Sequence, residues 1–110
     1  MSAQVKVLQP SGMMDTKGGI DLRHKIINLL ESGTKTVLID FEQVTFMDSS
    51  GLGALVASLQ RVRADNARLY LCSLNTQVRM VMELTRLDQV FEMFPDRSAF
   101  EAAVAPINQS

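Results

Sequence analysis

The strongest constraint on the fold is an alternation: four short apolar runs are each followed by a longer segment whose apolar residues recur at helical spacing. Val5, Val7 and Leu8 form the first run, stopped by Pro10-Ser11-Gly12, since proline donates nothing to a strand ladder and glycine favours a turn. Val37-Leu38-Ile39-Asp40-Phe41 is continuous and rich in branched residues, the pattern of a central strand covered on both faces. Arg68 to Ser73 reads as a third strand and Val90-Phe91-Glu92-Met93-Phe94 as a fourth. Strands joined through helices run parallel, because such a connection needs about a dozen residues and a helix fills it. The expectation is an α/β layer with a small, mostly parallel sheet of four to five strands and about four helices.

Between about Lys17 and Ser32, the residues Leu22, Ile26, Leu29 and Leu30 share one stripe, and Gly33 supplies the stop. Leu52, Leu55, Val56, Leu59 and Val62 mark a second helix after Asp48, ending near Asp65-Asn66, where asparagine accepts a left-handed turn. Asn75 caps a third helix whose inward face is Val78, Val81, Met82 and Thr85, with Met80 and Leu84 packing under the last helix. Pro95-Asp96 opens that last helix, which carries Phe100 and Val104 and ends at Pro106. Residues 1–110 are expected to form a single domain with its core over about 4–105 and a frayed tail over 106–110.

Aromatic residues are 5% of the chain, so the core is aliphatic, and the net charge of −1 gives no general attraction to nucleic acid or to an anionic membrane. Cys72 is the only cysteine. It excludes an internal disulfide and, inside Leu69-Tyr70-Leu71-Cys72, reads as a small buried hydrophobe that suits a reducing compartment. No run approaches the roughly 20 apolar residues that cross a bilayer, so no membrane insertion is expected and the expected location is cytoplasmic. His24, the one histidine, falls on the polar side of the first helix. A metal site or a nucleophilic triad cannot be assembled from it in the usual way, no phosphate-cradling glycine pattern is present, and no cofactor is expected.

In parallel α/β sheets, functional groups gather beyond the carboxyl ends of the strands, which singles out Gly12 to Gly19 and Val44 to Gly53. In the second segment, Thr45-Phe46-Met47-Asp48-Ser49-Ser50-Gly51-Leu52-Gly53, two hydroxyls stand at a helix start beside Asp48, with Asp15 brought to the same end by the other loop. A phosphate there meets unpaired backbone N–H groups and the positive end of the helix dipole. On Ser49 it adds about −1.5 to −2 charge beside two carboxylates, enough to repel a surface that recognises the unmodified loop. Gly51 and Gly53 leave room for a partner's close approach, and Met13, Met14 and Met47 offer an adaptable apolar surround. The plainer alternative stands beside this: Ser49 or Ser50 as a helix cap, and Asp15 and Asp48 as turn residues bonded to nearby backbone.

Val37 to Asp40 followed by Phe46-Met47-Asp48-Ser49-Ser50-Gly51-Leu52-Gly53 resembles the core of the STAS domain, specifically that of bacterial anti-sigma factor antagonists. Leu74 to Thr85 with Leu87-Asp88-Gln89-Val90-Phe91 is similar to that family's third helix and last strand, and Gly12-Met13-Met14-Asp15 to its Gly-x-x-Asp loop. The resemblance implies a STAS-type fold and a non-enzymatic, phospho-switchable binding module. In its unphosphorylated form such a module binds an anti-sigma factor serine/threonine kinase and releases the sigma factor. The kinase then phosphorylates the position of Ser49, and a metal-dependent serine phosphatase resets the cycle. Asp15, Met47, Asp48, Ser50, Gly51 and Leu52 would shape the docking surface.

Three departures from the family pattern stand out. The short N-terminus implies one strand in place of a first strand pair; Arg86 replaces a glycine after the third helix, so that either a left-handed residue is tolerated or the helix ends differently; and Gly18-Gly19 loosens the start of the first helix. The alternative function is a STAS scaffold subunit of a lipid- or anion-transporter assembly. A hydrolase using Ser49 lacks a general base.

Overall fold

The computed structural model describes residues 4–104. Its elements follow in the order β1 (Val5–Leu8), β2 (Gly12–Met14), α1 (Thr16–Glu31), β3 (Thr36–Asp40), β4 (Val44–Met47), α2 (Ser49–Ala64), β5 (Arg68–Cys72), α3 (Thr76–Leu84), a 3₁₀ turn (Leu87–Gln89), β6 (Glu92–Phe94) and α4 (Arg97–Ala103). Four strands form a parallel sheet in the order β1-β3-β5-β6, and β2 pairs in parallel with β4 in a separate two-stranded sheet.

Alternation along the central strands divides the core in two. Successive side chains of a strand point to opposite faces, so Val37, Ile39, Leu69 and Leu71 join Leu22, Ile26 and Leu30 of α1 and Leu55, Leu59 and Val62 of α2 on one face. Leu38, Tyr70 and Cys72 point the other way, to Phe100 of α4. There Phe100 meets the rings of Tyr70 at 5.3 Å and Phe94 at 5.6 Å, both edge-on, the arrangement that aromatic quadrupoles favour.

The turn chemistry follows the sequence. Gly33 (φ 97°) and Asn66 (φ 58°) take left-handed conformations after α1 and α2. Arg86 does the same (φ 63°, ψ 14°), so the left-handed alternative holds at a strain of about 1 kcal/mol. Gly18 and Gly19 correct the expectation of a loosened helix start. A Cβ on Gly19 would stand 2.6 Å from that of Ala54 on α2, and one on Gly18 2.6 Å from the carbonyl oxygen of Met13; the missing side chains let α1 lie directly against its neighbours.

Other expectations are corrected by packing. β1 ends before Pro10 as expected, but Gly12, with a positive φ of 78°, turns the chain into a second strand, β2, so two N-terminal strands are present and not one; they pair with β3 and β4, not with each other. Val44 to Met47, read as part of a connecting loop, is the partner strand. The last strand is shorter than expected because the N–H groups of Val90 and Phe91 both bond back to the carbonyl of Leu87, holding the chain in a turn until Glu92. On α3, Val78 and Met82 are buried, Val81 is half-buried, and Thr85 is exposed, donating its hydroxyl to Val81 at 2.7 Å. Met80 and Leu84 do not pack under α4, which covers the opposite face of the sheet; they are 52% and 77% exposed. Val104 is likewise exposed just past α4, and Pro106 with the 106–110 tail lies outside the described residues.

Candidate functional site

Two strand-to-helix loops lie side by side. Met14 of β2 is in register with Met47 of β4, so Asp15 and Asp48 follow at adjacent positions, and the Asp48 N–H donates to the Met14 carbonyl at 3.2 Å. The loops repeat one pattern, Met14-Asp15-Thr16-Lys17-Gly18 and Met47-Asp48-Ser49-Ser50-Gly51. In each, the aspartate is the helix cap: the N–H of Gly18 donates to Asp15 Oδ1 and that of Gly51 to Asp48 Oδ1, both at 3.0 Å. The turn-residue role of the two carboxylates therefore holds.

That assignment removes the capping role from the serines. Asp48 occupies the capping position, so Ser49 and Ser50 are the first two residues of α2 and neither is its cap. Both are exposed, and neither hydroxyl takes part in a hydrogen bond among the described residues. Their own backbone N–H groups are the unpaired donors that a helix start leaves over.

The remaining expected site residues divide by depth. Asp15 and Asp48 are half-buried, Leu52 is half-buried against the core, and Ser50 is exposed. Met47 is not an open contact surface: with 1% exposure it belongs to the core, as does Met14. Gly51 is also buried, and a Cβ there would stand 1.9 Å from the Met14 carbonyl oxygen, so its bareness lets α2 rest on β2 and does not admit a partner. Gly53, by contrast, is exposed and a Cβ there meets nothing within 4 Å. The apolar groups that do face outward beside the serines are Met13 (55% exposed) and Phe46 (42%), cross-strand partners in the β2–β4 pair.

Two contributors escape sequence reasoning. Gln77, near the start of α3, accepts a hydrogen bond from the Met47 N–H and donates one to the Met47 carbonyl, each at 2.9 Å. Asn75, legible as the α3 cap through its bond from Val78 N–H, also donates to the carbonyls of Val44 at 3.1 Å and Thr45 at 3.3 Å. Their strand partners lie far away in the chain, and no local motif announces them. At the carboxyl end of β3, buried Asp40 accepts from Arg97 Nε at 2.7 Å, Gln9 Nε2 at 3.3 Å and the Glu42 N–H at 2.9 Å, an ion pair that fastens α4. Cys72 is buried, and burial foremost pushes its thiol up from the ordinary cysteine range, as suits an unreactive core residue.

Among the described residues no cluster of His, Cys, Asp and Glu is arranged to hold a metal ion, and no helix is long and apolar enough to cross a membrane. The family model of the STAS domain matches residues 2–99. The chain is 26% identical over 90 residues to the anti-sigma-B factor antagonist of Staphylococcus aureus, covering 82% of this chain and 81% of that protein. Its fold matches the anti-sigma factor antagonist SpoIIAA in its unphosphorylated form (TM-score 0.76, 23% identity, 98% of this chain and 95% of that one). The Bacillus SpoIIAA has also been solved phosphorylated, and that form matches with a TM-score of 0.69 at 22% identity over 93% of each chain. The STAS domain of a SulP transporter from Vibrio cholerae shares the fold at 15% identity (TM-score 0.72, 96% of this chain and 81% of that one). A match over nearly the whole described chain, joined to the four-stranded parallel sheet, the β2–β4 pair and the Asp-capped serine loop, places this chain in the STAS domain family.

Proposed function

We propose that the chain is an anti-sigma factor antagonist, a cytoplasmic binding module without catalysis of its own, switched by phosphorylation of Ser49. The observation that carries this reading is the state of the Ser49 hydroxyl: exposed, at the first position of α2, and relieved of capping duty by Asp48. A phosphate on that oxygen would find the free N–H groups and dipole of the helix start, so the fold tolerates it locally. It would also set a dianion beside the carboxylates of Asp15 and Asp48, reversing what the surface can accept.

The docking face in this reading comprises Ser49, Ser50, Asp15, Asp48 and Leu52, with Met13 and Phe46 as apolar contacts; Met47 and Gly51 shape it from beneath. The partner is an anti-sigma factor serine/threonine kinase, and a metal-dependent serine phosphatase restores the free hydroxyl. The relatives' names and the STAS family match support this assignment. The test is capture from cells with Ser49→Ala and Ser49→Asp baits. The Ala bait retains a kinase-type anti-sigma factor and the Asp bait loses it. Equal recovery by both, or recovery of a transporter subunit by both, overturns the switch.

A further inference from the structure

The carboxamide of Gln77 closes a two-bond ring with the backbone of Met47, with both N···O distances at 2.9 Å. Successive residues of a strand direct their backbone groups to opposite sides. The Asp48 N–H bonds to Met14 on the β2 side, so Met47 bonds on the other edge of β4, where the sheet has no further strand. Gln77 thus stands in for a neighbouring strand at the last residue before the cap. Asn75 continues the same edge at Thr45, two residues back, and also reaches the Val44 carbonyl at the start of the strand. The twin loop has no counterpart: no side chain makes such a pair of bonds to Gly12–Met14 among the described residues.

We infer that Gln77 is a positioning residue for the switch: by gripping Met47 from the α3 side, it holds the Asp48 cap and the Ser49 hydroxyl in the one geometry that a partner's active site meets. The functional half of this inference rests on the phospho-switch reading, whereas the holding of the loop stands on the hydrogen bonds alone. Met47 is the last strand residue, its side chain is locked in the core, and Asp48 and Ser49 follow with no intervening residue to absorb a shift. If the carboxamide merely satisfied two polar groups at a sheet edge, its loss would lower overall stability and leave the presentation of Ser49 unchanged.

The experiment compares the full chain with Gln77→Leu, which removes both bonds at similar volume, and Gln77→Glu, which keeps the acceptor and loses the donor. Backbone amide exchange is read at Asp48 and Gly51, whose own partners, Met14 and Asp48, are untouched by the substitution. Phosphorylation by the serine-kinase anti-sigma factors of the same genome is read as kcat/KM under conditions where denaturation curves show each variant folded. In Gln77→Leu, Asp48 and Gly51 exchange about tenfold faster while Gly18 and the β3 amides keep their rates, kcat/KM falls about tenfold, and Gln77→Glu lies between. Unchanged exchange at Asp48 and Gly51, or an increase shared equally by β3, overturns the holding role. Faster local exchange with unchanged kcat/KM overturns the positioning role. If the wild-type chain itself takes no phosphate, the phospho-switch reading fails, and with it the functional half of the inference, while the exchange pattern still decides whether Gln77 holds the loop.

Discussion

The starts of α1 and α2 are built alike and held differently. Each follows a short parallel strand, each is capped by an aspartate at 3.0 Å from a glycine N–H, and each presents a hydroxyl residue at its first position, Thr16 and Ser49. Among the described residues, no side chain bonds the β2 backbone before the α1 loop as Gln77 bonds that of β4. The α2 loop is braced by Met14 on one side and by Gln77 on the other, with Gly51 pressed onto the Met14 backbone. Capping chemistry is common to both loops; what separates them is how firmly the fold holds the residue before the hydroxyl.

The largest expected difference lies in the glycines. Gly51→Ala forces a Cβ to 1.9 Å from a backbone carbonyl that already receives the Asp48 N–H, and it should destabilise by about 3 kcal/mol in denaturant titrations. At Gly18 the corresponding contact is 2.6 Å, again to backbone, and the loss is about 1–2 kcal/mol. Equal losses would mean that the α2 loop is no more tightly braced than its twin. Next comes charge: Ser49→Asp should weaken kinase binding on the order of a hundredfold, about 2.7 kcal/mol, and Thr16→Asp by less than tenfold, as titrated by calorimetry. Matching effects at the two positions would remove the functional distinction between the loops.

Smaller effects sharpen the likeness. Asp15→Ala and Asp48→Ala each remove one cap, and each should cost about 1 kcal/mol of stability, because the two caps have the same geometry. Thermal unfolding of both variants checks this, and a much larger loss for Asp48 would show that its side chain does more than cap. The smallest effect is a gain: a Cβ on Gly53 meets nothing, so Gly53→Ala should stabilise by about 0.5–1 kcal/mol.

How much of this was legible in the sequence depended on whether the signal was local. The β3 run, the stripes of α1 and α2 and the turns at Gly33 and Asn66 rest on period and on backbone conformational preference, and they are where the sequence put them. Strands β2 and β4 were invisible because three or four residues carry too little period: in β4 Val44 and Met47 face inward while both Thr45 and Phe46 face out. The same gap hid the depth of Met47 and Gly51, since a motif names residues in order and the strand beneath them decides which are covered. Met80 and Leu84 face outward and not toward α4 because helical spacing tells which residues share a face, not which layer that face meets. The Asp40–Arg97 pair and the Gln77 clamp join segments distant in the chain and leave no trace in either neighbourhood.

The proposed switch requires the fold to offer one hydroxyl, Ser49, and not its twin, Thr16, to a kinase. Intact mass and fragment mapping after incubation with ATP and the serine-kinase anti-sigma factors of the same genome test it most directly. The expected result is a single phosphoryl group on the wild-type chain, on Ser49, retained in Thr16→Ala and absent in Ser49→Ala. Phosphate on Ser50 or Thr16 in the wild-type chain, or none on any residue, would contradict it.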